Sequence, residues 1–186
     1  MLKSAYRKRD DHTTSNLSEA HRRMLYDESG ISPEVAAERG YYTARWRSEV
    51  PEALKDYQRR PGLVIPVLTP SGERRVRLRP DQSRKGKDGR IRKYEQVAGV
   101  GCVLDVHPRN LDRLRDPAVP LWVVEGEKKG DALTSRGECA GRCPACGTGS
   151  APGRCCPIGT TSGSSVGRCA FASTPTPGAT PTCSSR

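Results

Sequence analysis

Aromatic and apolar side chains are scarce in this sequence of 186 residues. It contains one phenylalanine, two tryptophans and six tyrosines, and hydrophobic residues make up only 34% of the chain. Both values are low for a well-packed globular domain, so we expect a small core. No apolar run approaches the roughly 20 residues of a membrane-spanning helix, so we expect no membrane partner.

The start of the sequence also lacks the apolar segment of a secretory signal. Residues 1–11 are polar and mostly charged, which predicts a cytoplasmic protein. Because thiols stay reduced in that compartment, we do not expect the eight cysteines to form a disulfide framework.

Acidic residues are outnumbered by basic ones. The 21 aspartates and glutamates face 32 lysines and arginines, which leaves a net charge of +11 and a pI near 9.6. Such a balance suits a polyanionic partner, and nucleic acid is the expected one. Positive charge alone selects no partner, so a generic basic protein is the alternative.

The N-terminal part predicts short helices after a disordered, basic segment at residues 1–16. The first helix is expected to span Ser18–Tyr26. The second, Pro33–Arg39, has Ser32 as its N-cap, proline at its first position and Gly40 after its last residue.

Few other large residues occur in this part of the chain. We therefore expect Tyr41, Tyr42 and Trp46 to pack against the preceding helices, although such aromatic rings can also stack on bases. A third short helix is predicted for Val50–Arg59. His107 has no second metal-type ligand nearby in the sequence, so it is predicted to be either structural or exposed.

A basic β-hairpin is predicted next. The apolar run Leu63–Leu68 and the alternating segment Glu73–Arg79 read as paired strands with an exposed basic face. The glycine-rich, basic segment at 84–95 either contacts phosphates or is a solvated loop, and Tyr94 either stacks on a base or closes the next strand. The candidate nucleic-acid-binding residues are Arg75, Arg77, Arg79, Lys85, Lys87, Arg90, Arg92 and Lys93.

The most informative stretch is an apolar run followed by an acidic turn. Leu121–Val124 predicts a buried strand, Gly126 breaks it, and Glu127–Arg136 predicts a helix. Glu125 is therefore expected at the carboxyl end of a central strand, where open α/β sheets bind ligands. A strand-to-helix turn with a solvated acid is the alternative. Further strand is predicted over residues 97–106.

Residues 124–133 read Val-Glu-Gly-Glu-Lys-Lys-Gly-Asp-Ala-Leu. They resemble the first motif of the Toprim domain, the metal-binding catalytic module of bacterial-type primases and topoisomerases. This residue sequence is most similar to a Toprim-like family of phage, plasmid and mobile-element replication proteins, domain of unknown function 3854. The preceding order of apolar strand, turn, arginine-rich strand and basic loop is also similar to the region before the Toprim core of primases. The resemblance covers about residues 17–137.

This resemblance implies a fold, a cofactor and partners. The implied fold is α/β, with an α+β N-terminal part leading into an incomplete Rossmann-like Toprim sheet. Glu125 corresponds by resemblance to the motif glutamate, which acts as general acid/base or helps to hold magnesium. Magnesium is thus the implied cofactor of phosphoryl or nucleotidyl transfer, DNA the implied partner, and a helicase or primase a second candidate partner.

The chain changes character at about Glu138. Lysine vanishes, and cysteine, glycine, serine, threonine and proline dominate without apolar periodicity. We expect residues 138–186 to form a disordered tail, separate from a domain at 17–137. Zinc is one interpretation, because Cys143 and Cys146 have ligand spacing and Cys155–Cys156 could complete a four-thiolate set. Adjacent cysteines are poor ligands for one metal, so zinc is not favoured.

Translation in a shifted reading frame is the favoured explanation of this tail. Codon degeneracy allows residues 143–149 to be read one frame over as Pro-Gly-Val-Trp-Asn-Trp. It also allows residues 170–177 to become Val-Cys-Phe-Asp-Ser-Asp-Ala, an apolar strand ending in the Asp-x-Asp of the second Toprim motif. The chain as written keeps only the glutamate of the first motif, so we expect a truncated relative without catalysis.

Three functions are therefore open. The first is a truncated, inactive Toprim-like domain of a replication or primase-associated protein. The second is a non-catalytic nucleic-acid-binding module that uses the basic hairpin and loop. The third is a zinc-dependent interaction protein built on the cysteine tail.

Overall fold

The computed structural model of the chain describes residues 16–86, 88–101 and 103–143, together with the backbone of residues 169–171. The predictions for residues 1–15, for Lys87 and for most of the tail fall outside these ranges. Within them, the chain combines α-helices and 3₁₀ turns with antiparallel and mixed β-sheets. The expected mixture of helices and sheets is confirmed at this level.

Two capped helices open the described part. α1, Glu19–Tyr26, begins after Ser18, whose Oγ accepts a hydrogen bond from the amide three residues on. α2, Pro33–Arg39, has Ser32 in the same role. It ends at Gly40, whose positive φ of 81° suits a residue without a Cβ. Both predicted helices are confirmed.

The first sheet is built around the predicted hairpin. β1, Tyr42–Ala44, pairs antiparallel with β2, Gly62–Leu68, and β2 pairs antiparallel with β3, Arg74–Pro80. Glycine is needed at the start of β2, because a Cβ on Gly62 would lie 2.3 Å from the carbonyl oxygen of Arg79. The hairpin therefore depends on a close backbone approach at its open end.

A short ribbon follows β3. β4, Arg84–Lys85, and β5, Ile91–Arg92, pair with each other, and Gly89 turns the chain between them with a φ of 72°. β6, Glu95–Gln96, then pairs with β3, so the first sheet has the order β1-β2-β3-β6. The basic segment at 84–95, for which a solvated loop was one alternative, thus contains strand pairing in its described part.

The helix predicted for Val50–Arg59 is wrong. The structure has a 3₁₀ turn at Asp56–Gln58 and no α-helix in that span. Val50 precedes a proline and is extended, with ψ at 131°, as residues before proline usually are. Val50 and Leu54 are nevertheless buried, because they pack as anchors within a cluster on the first sheet.

The second sheet is mixed. Its strands are β7 Asp105–Val106, β8 Leu121–Val124, β9 Ala140–Arg142 and β10 Cys169–Phe171, in the order β10-β8-β9-β7. β8 has a parallel neighbour on each side, whereas β7 pairs antiparallel with β9. α3, Glu127–Ser135, leads from β8 to β9. The predicted strand and helix on either side of Glu125 are confirmed.

Between β6 and β8 the chain is largely irregular. Of the described residues in the strand predicted over 97–106, only those of β7 form a strand, and Gly99 lies in a turn with a φ of 79°. Of the two alternatives predicted for His107, the structure shows the structural one, since the ring is buried and its Nε2 lies 3.0 Å from the carbonyl oxygen of Val35.

Strand pairing continues past the change of composition at about residue 138. Residues 140–142 form β9 beside β8, and the Cys143 amide donates to the carbonyl oxygen of Val124 at 2.8 Å. Gly141 allows close packing here, since a Cβ on it would lie 3.1 Å from the carbonyl oxygen of Asp105. Residues 140–143 therefore belong to the second sheet, because partner strands supply backbone bonds that composition does not reveal.

The core lies on both faces of β2. Leu63 and Ile65 join a cluster with residues of α1 and α2, whereas Val64 joins a second cluster with Leu78 and Val50. Alternate residues of a strand point to opposite faces, so a strand covered on both sides reads as a continuous apolar run. In the described residues, no helix has the length and apolar character of a bilayer-crossing segment.

Candidate functional site

Glu125 lies where the sequence predicts it, after the last residue of β8 and before α3. Its side chain is 52% exposed and forms an ion pair with Lys129, one turn further along. Its carbonyl oxygen accepts a hydrogen bond from Arg142 Nε at 3.4 Å. The carboxylate is thus available to solvent at the edge of the sheet where parallel strands end.

Glu127, the next acidic residue, is held differently. Its side chain is only 2% exposed, and its Oε1 lies 2.5 Å from Arg77 Nη1 and 3.2 Å from Arg142 Nη1. These arginines come from β3 and β9, so one carboxylate links α3 to both sheets. Glu127 was not among the candidate site residues, because its structural role has no sequence signal.

A second buried ion cluster ties α2 to α3 and β7. Arg39 donates to both carboxylate oxygens of Asp131, at 2.5 and 3.0 Å, and to Asp105 Oδ1 at 2.7 Å. The Tyr41 hydroxyl donates to Asp131 at 2.6 Å. Burial raises the pKa of Tyr41 well above its usual range, and the adjacent Asp131 carboxylate adds to the effect.

The described residues do not complete a magnesium site. Magnesium needs oxygen ligands, usually one or two carboxylates together with substrate phosphates. Asp131, Asp105 and Glu127 are all bound to arginines, which leaves Glu125 as a single carboxylate paired with a lysine. Among residues 16–86, 88–101 and 103–143, no three histidine, cysteine or carboxylate side chains are arranged to hold a metal ion.

Of the cysteines proposed as zinc ligands, the structure describes only Cys143, whose side chain is buried. The other three, Cys146, Cys155 and Cys156, lie outside the described residues. The zinc interpretation therefore stays an untested alternative.

The exposed basic face predicted for β3 is wrong. The Arg77 side chain is only 15% exposed, is bound to Glu127, and lies 4.6 Å from the centre of the Tyr94 ring. Arg75 is bound to Glu73 and to the carbonyl oxygen of Gly101. The prediction of β3 as a strand was correct, but its arginines are not free. Tyr94, Gly101 and Glu127 contact Arg75 or Arg77.

The ribbon presents the freer cations. Lys85, Arg90 and Lys93 are exposed, whereas Arg92 is exposed but paired with Asp88. Arg79 on β3 is half-buried, with its guanidinium 6.0 Å from the Tyr94 ring centre. Of the predicted nucleic-acid-binding residues, the ribbon members therefore offer positive charge to solvent most directly.

An open groove lies between the ribbon and the 3₁₀ turn at Asp56–Gln58. Its walls carry two tyrosines and three arginines: Tyr57, Tyr94, Arg77, Arg84 and Arg92. Arg84 binds Glu95 and lies 5.0 Å from the centre of the Tyr57 ring. Sequence reasoning missed Tyr57, whose only signal is an aromatic residue among polar neighbours.

The packing predicted for the aromatic residues after α2 holds for Tyr41 but not for Trp46. Tyr41 is buried, whereas Trp46 is 69% exposed. β1 ends at Ala44, and the next buried residue is Val50, so the Trp46 indole lies between these two positions and outside the core clusters.

Asp105 predicts a measurable pH effect. Burial raises its pKa to about 6 although Arg39 attracts its charged form, whereas an unfolded aspartate titrates near 4. The folded state therefore binds the proton more tightly, and this contribution to stability is present below pH ~4 and is lost as the pH rises through ~6. Between pH ~4 and ~6, the free energy of unfolding of wild type should fall by up to about 3 kcal/mol relative to that of Asp105→Asn.

Urea denaturation of both proteins between pH 4 and 7 measures this difference. Asp112→Asn, at a side chain that is 96% exposed, controls for the change of a carboxylate to an amide. A difference in the free energy of unfolding between wild type and Asp105→Asn that stays constant between pH 4 and 7 would contradict the assignment.

Comparison with protein families, with curated proteins and with solved structures gave no match to this chain.

Proposed function

We propose that the chain carries the first part of a Toprim-like DNA-replication domain, which binds nucleic acid but has no catalytic activity as written. The observation that carries the proposal is the place of Glu125. It follows an inner strand with parallel neighbours on both sides and precedes a helix, which is where α/β sheets bind ligands. The proposed setting is the cytoplasmic replication machinery of a mobile element.

The pairing of β10 with β8 supports the shifted-frame explanation. Phe171 lies opposite Val123, so a strand kept in this register in the shifted protein would bring its first aspartate level with Glu125. Carboxylates at neighbouring ends of parallel strands share one edge of a sheet, where they can hold a magnesium ion together. The chain as written has no aspartate after Asp131, so we assign it no phosphoryl transfer.

The nucleotide sequence of the gene tests this part of the proposal. Read one frame over after the codon of Glu138, it should stay open and encode Val-Cys-Phe-Asp-Ser-Asp-Ala across the codons of residues 170–177. A stop codon in that frame, or neutral residues in place of the two aspartates, would sink the frameshift. Tight magnesium binding with nucleotide transfer by the purified chain would contradict the proposed lack of catalysis.

The proposed nucleic-acid contact is made by the ribbon. Lys85, Arg90 and Lys93 are exposed there, and Arg79 and Arg84 lie beside the adjoining groove or its tyrosines. Phosphate contacts by such side chains release counterions, which gives binding a steep dependence on salt. A helicase or primase is the proposed protein partner of the replication domain.

Charge reversal on the ribbon should weaken binding of single-stranded DNA. The double variant Lys85→Glu/Arg90→Glu removes two cations that pair with phosphates, so the slope of log K against log salt should become shallower by roughly 0.7 for each phosphate that is no longer neutralised. Fluorescence anisotropy with a labelled oligonucleotide at several salt concentrations measures the slope. The control is Arg115→Glu, an 84% exposed arginine outside the ribbon, and equal slopes for the two variants would exclude the ribbon as the contact surface.

A further inference from the structure

Two large aromatic side chains lie in solvent within one segment of this aromatic-poor chain. Trp46 is 69% exposed and Tyr57 is 55% exposed. The stretch that follows Trp46 is bonded to the stretch around Tyr57. Arg47 Nη2 lies 2.7 Å from Asp56 Oδ1, and Arg59 donates to the carbonyl oxygen of Arg47. Single exposed apolar residues need no explanation, but two exposed aromatics on stretches that are bonded to each other make a candidate binding surface.

The backbone beneath these rings is fixed. The Glu49 carboxylate accepts hydrogen bonds from the amides of Arg45 and Trp46, at 2.6 and 3.3 Å. The residue after Tyr57 is buried, and its side-chain amide, Nε2 of Gln58, donates to Glu95 and to the carbonyl oxygen of Gln96. The rings therefore stand on anchored positions, which lowers the entropy cost of binding a ligand.

The surroundings of the rings are positively charged. Residues 45–60 contain five basic and three acidic side chains. The Glu49 carboxylate accepts hydrogen bonds from backbone amides, and Asp56 forms ion pairs with Arg47 and Arg59. Of the three acids, only Glu52 has no hydrogen bond or ion pair in the described contacts.

Arg84 lies over Tyr57, and the groove continues towards the ribbon. Glu95 and Asp88 also line the groove and bind Arg84 and Arg92. The exposed cations of the segment that form no ion pair in the described contacts are Arg45, Lys55 and Arg60. The surface thus combines stacking faces with these three sites for phosphate.

We infer that Trp46 and Tyr57 form a stacking platform for the bases of single-stranded DNA, whose backbone then follows the groove towards the β4–β5 ribbon. The inference rests on the proposed nucleic-acid binding and adds a site outside the predicted basic residues. A single strand is the ligand because its bases offer free faces, whereas those of a duplex are already stacked on one another.

The tryptophan content makes a direct test possible. The chain has two tryptophans, so Trp122→Phe leaves Trp46 as the only one. Titration of this protein with a thymidine oligonucleotide of about 12 residues, a length typical of single-strand sites, should quench the fluorescence of Trp46. In the wild-type background, Trp46→Ala and Tyr57→Ala should each weaken binding by roughly 5- to 150-fold, the range expected when one base loses its stacking ring. Ser48→Ala, an exposed change on the same segment, is the control and should bind as wild type does.

The outcomes separate this inference from the proposed function. If wild type binds and the ribbon variant weakens binding, but the aromatic variants bind normally and Trp46 is not quenched, the platform is overturned and the proposed function stands. If wild type binds no single-stranded DNA, both fail. Equal quenching by a duplex, or tighter binding of the matching RNA, overturns the assignment to single-stranded DNA. Unchanged melting temperatures of the variants show that any loss of binding is not a loss of folding.

Discussion

Replacing Arg39 with glutamine should lower the free energy of unfolding by about 3–5 kcal/mol. Arg39 is buried between Asp131 and Asp105, both themselves buried, and glutamine cannot neutralise either carboxylate. Removing one member of a buried ion cluster leaves uncompensated charge in a medium that solvates it poorly. Domains of this size are stable by only about 5–15 kcal/mol, so the variant should be mostly unfolded in moderate urea.

A neighbour of Arg39 on the same helix supplies the matched control. Glu38 forms an ion pair with Arg109, but both side chains are more than 40% exposed. Glu38→Gln should therefore cost about 1 kcal/mol or less, as exposed ion pairs usually do. Urea denaturation compares the two. If Arg39→Gln proves too unstable to purify, Asp131→Asn removes one charge of the same cluster with little change of shape. A cost for either buried change no larger than that of Glu38→Gln would show that the cluster is not a stabilising link.

The two glutamates that flank Gly126 should respond very differently to the same chemical change. Glu127→Gln removes the carboxylate that Arg77 and Arg142 share, and it should cost about 3 kcal/mol, the lower end of the range for buried pairs. Glu125→Gln removes an exposed ion pair with Lys129, and it should cost about 0.5 kcal/mol or less.

Thermal or urea unfolding of the two single variants measures this contrast with one side chain serving as control for the other. The expected order follows from burial alone, because both changes replace a carboxylate with an amide of the same size. Equal costs, or a larger cost for Glu125→Gln, would mean that Glu125 is tied into the fold and is not a free ligand at the strand end.

Local signals were enough for the elements that sequence reasoning predicted correctly. Ser18, Ser32 and Gly40 cap helices through bonds to residues within four positions, so their pattern is visible in a short window. The apolar runs of β2 and β8 are also visible in the sequence, since strands covered on both faces contain few polar residues. The position of Glu125 followed directly from the end of the second run.

The differences from prediction have one physical origin, which is that distant partners decided the outcome. Val50–Arg59 has helix-compatible spacing, but Val50 and Leu54 are drawn into the first sheet. Residues 140–142 look like linker, yet β8 and β7 bind their backbone.

The proposed binding surface shows the same division. Charge and motif pattern indicated from the chain alone that nucleic acid is the expected partner and that Glu125 ends a strand. Only the tertiary structure shows that Arg77 is paired with Glu127 and that the Trp46 and Tyr57 side chains are exposed to solvent. Residue type and spacing determine which helix or strand a segment can form. Contacts across the fold determine which charges are neutralised and which rings are buried, because the free energies of ion pairing and burial depend on residues far apart in the chain.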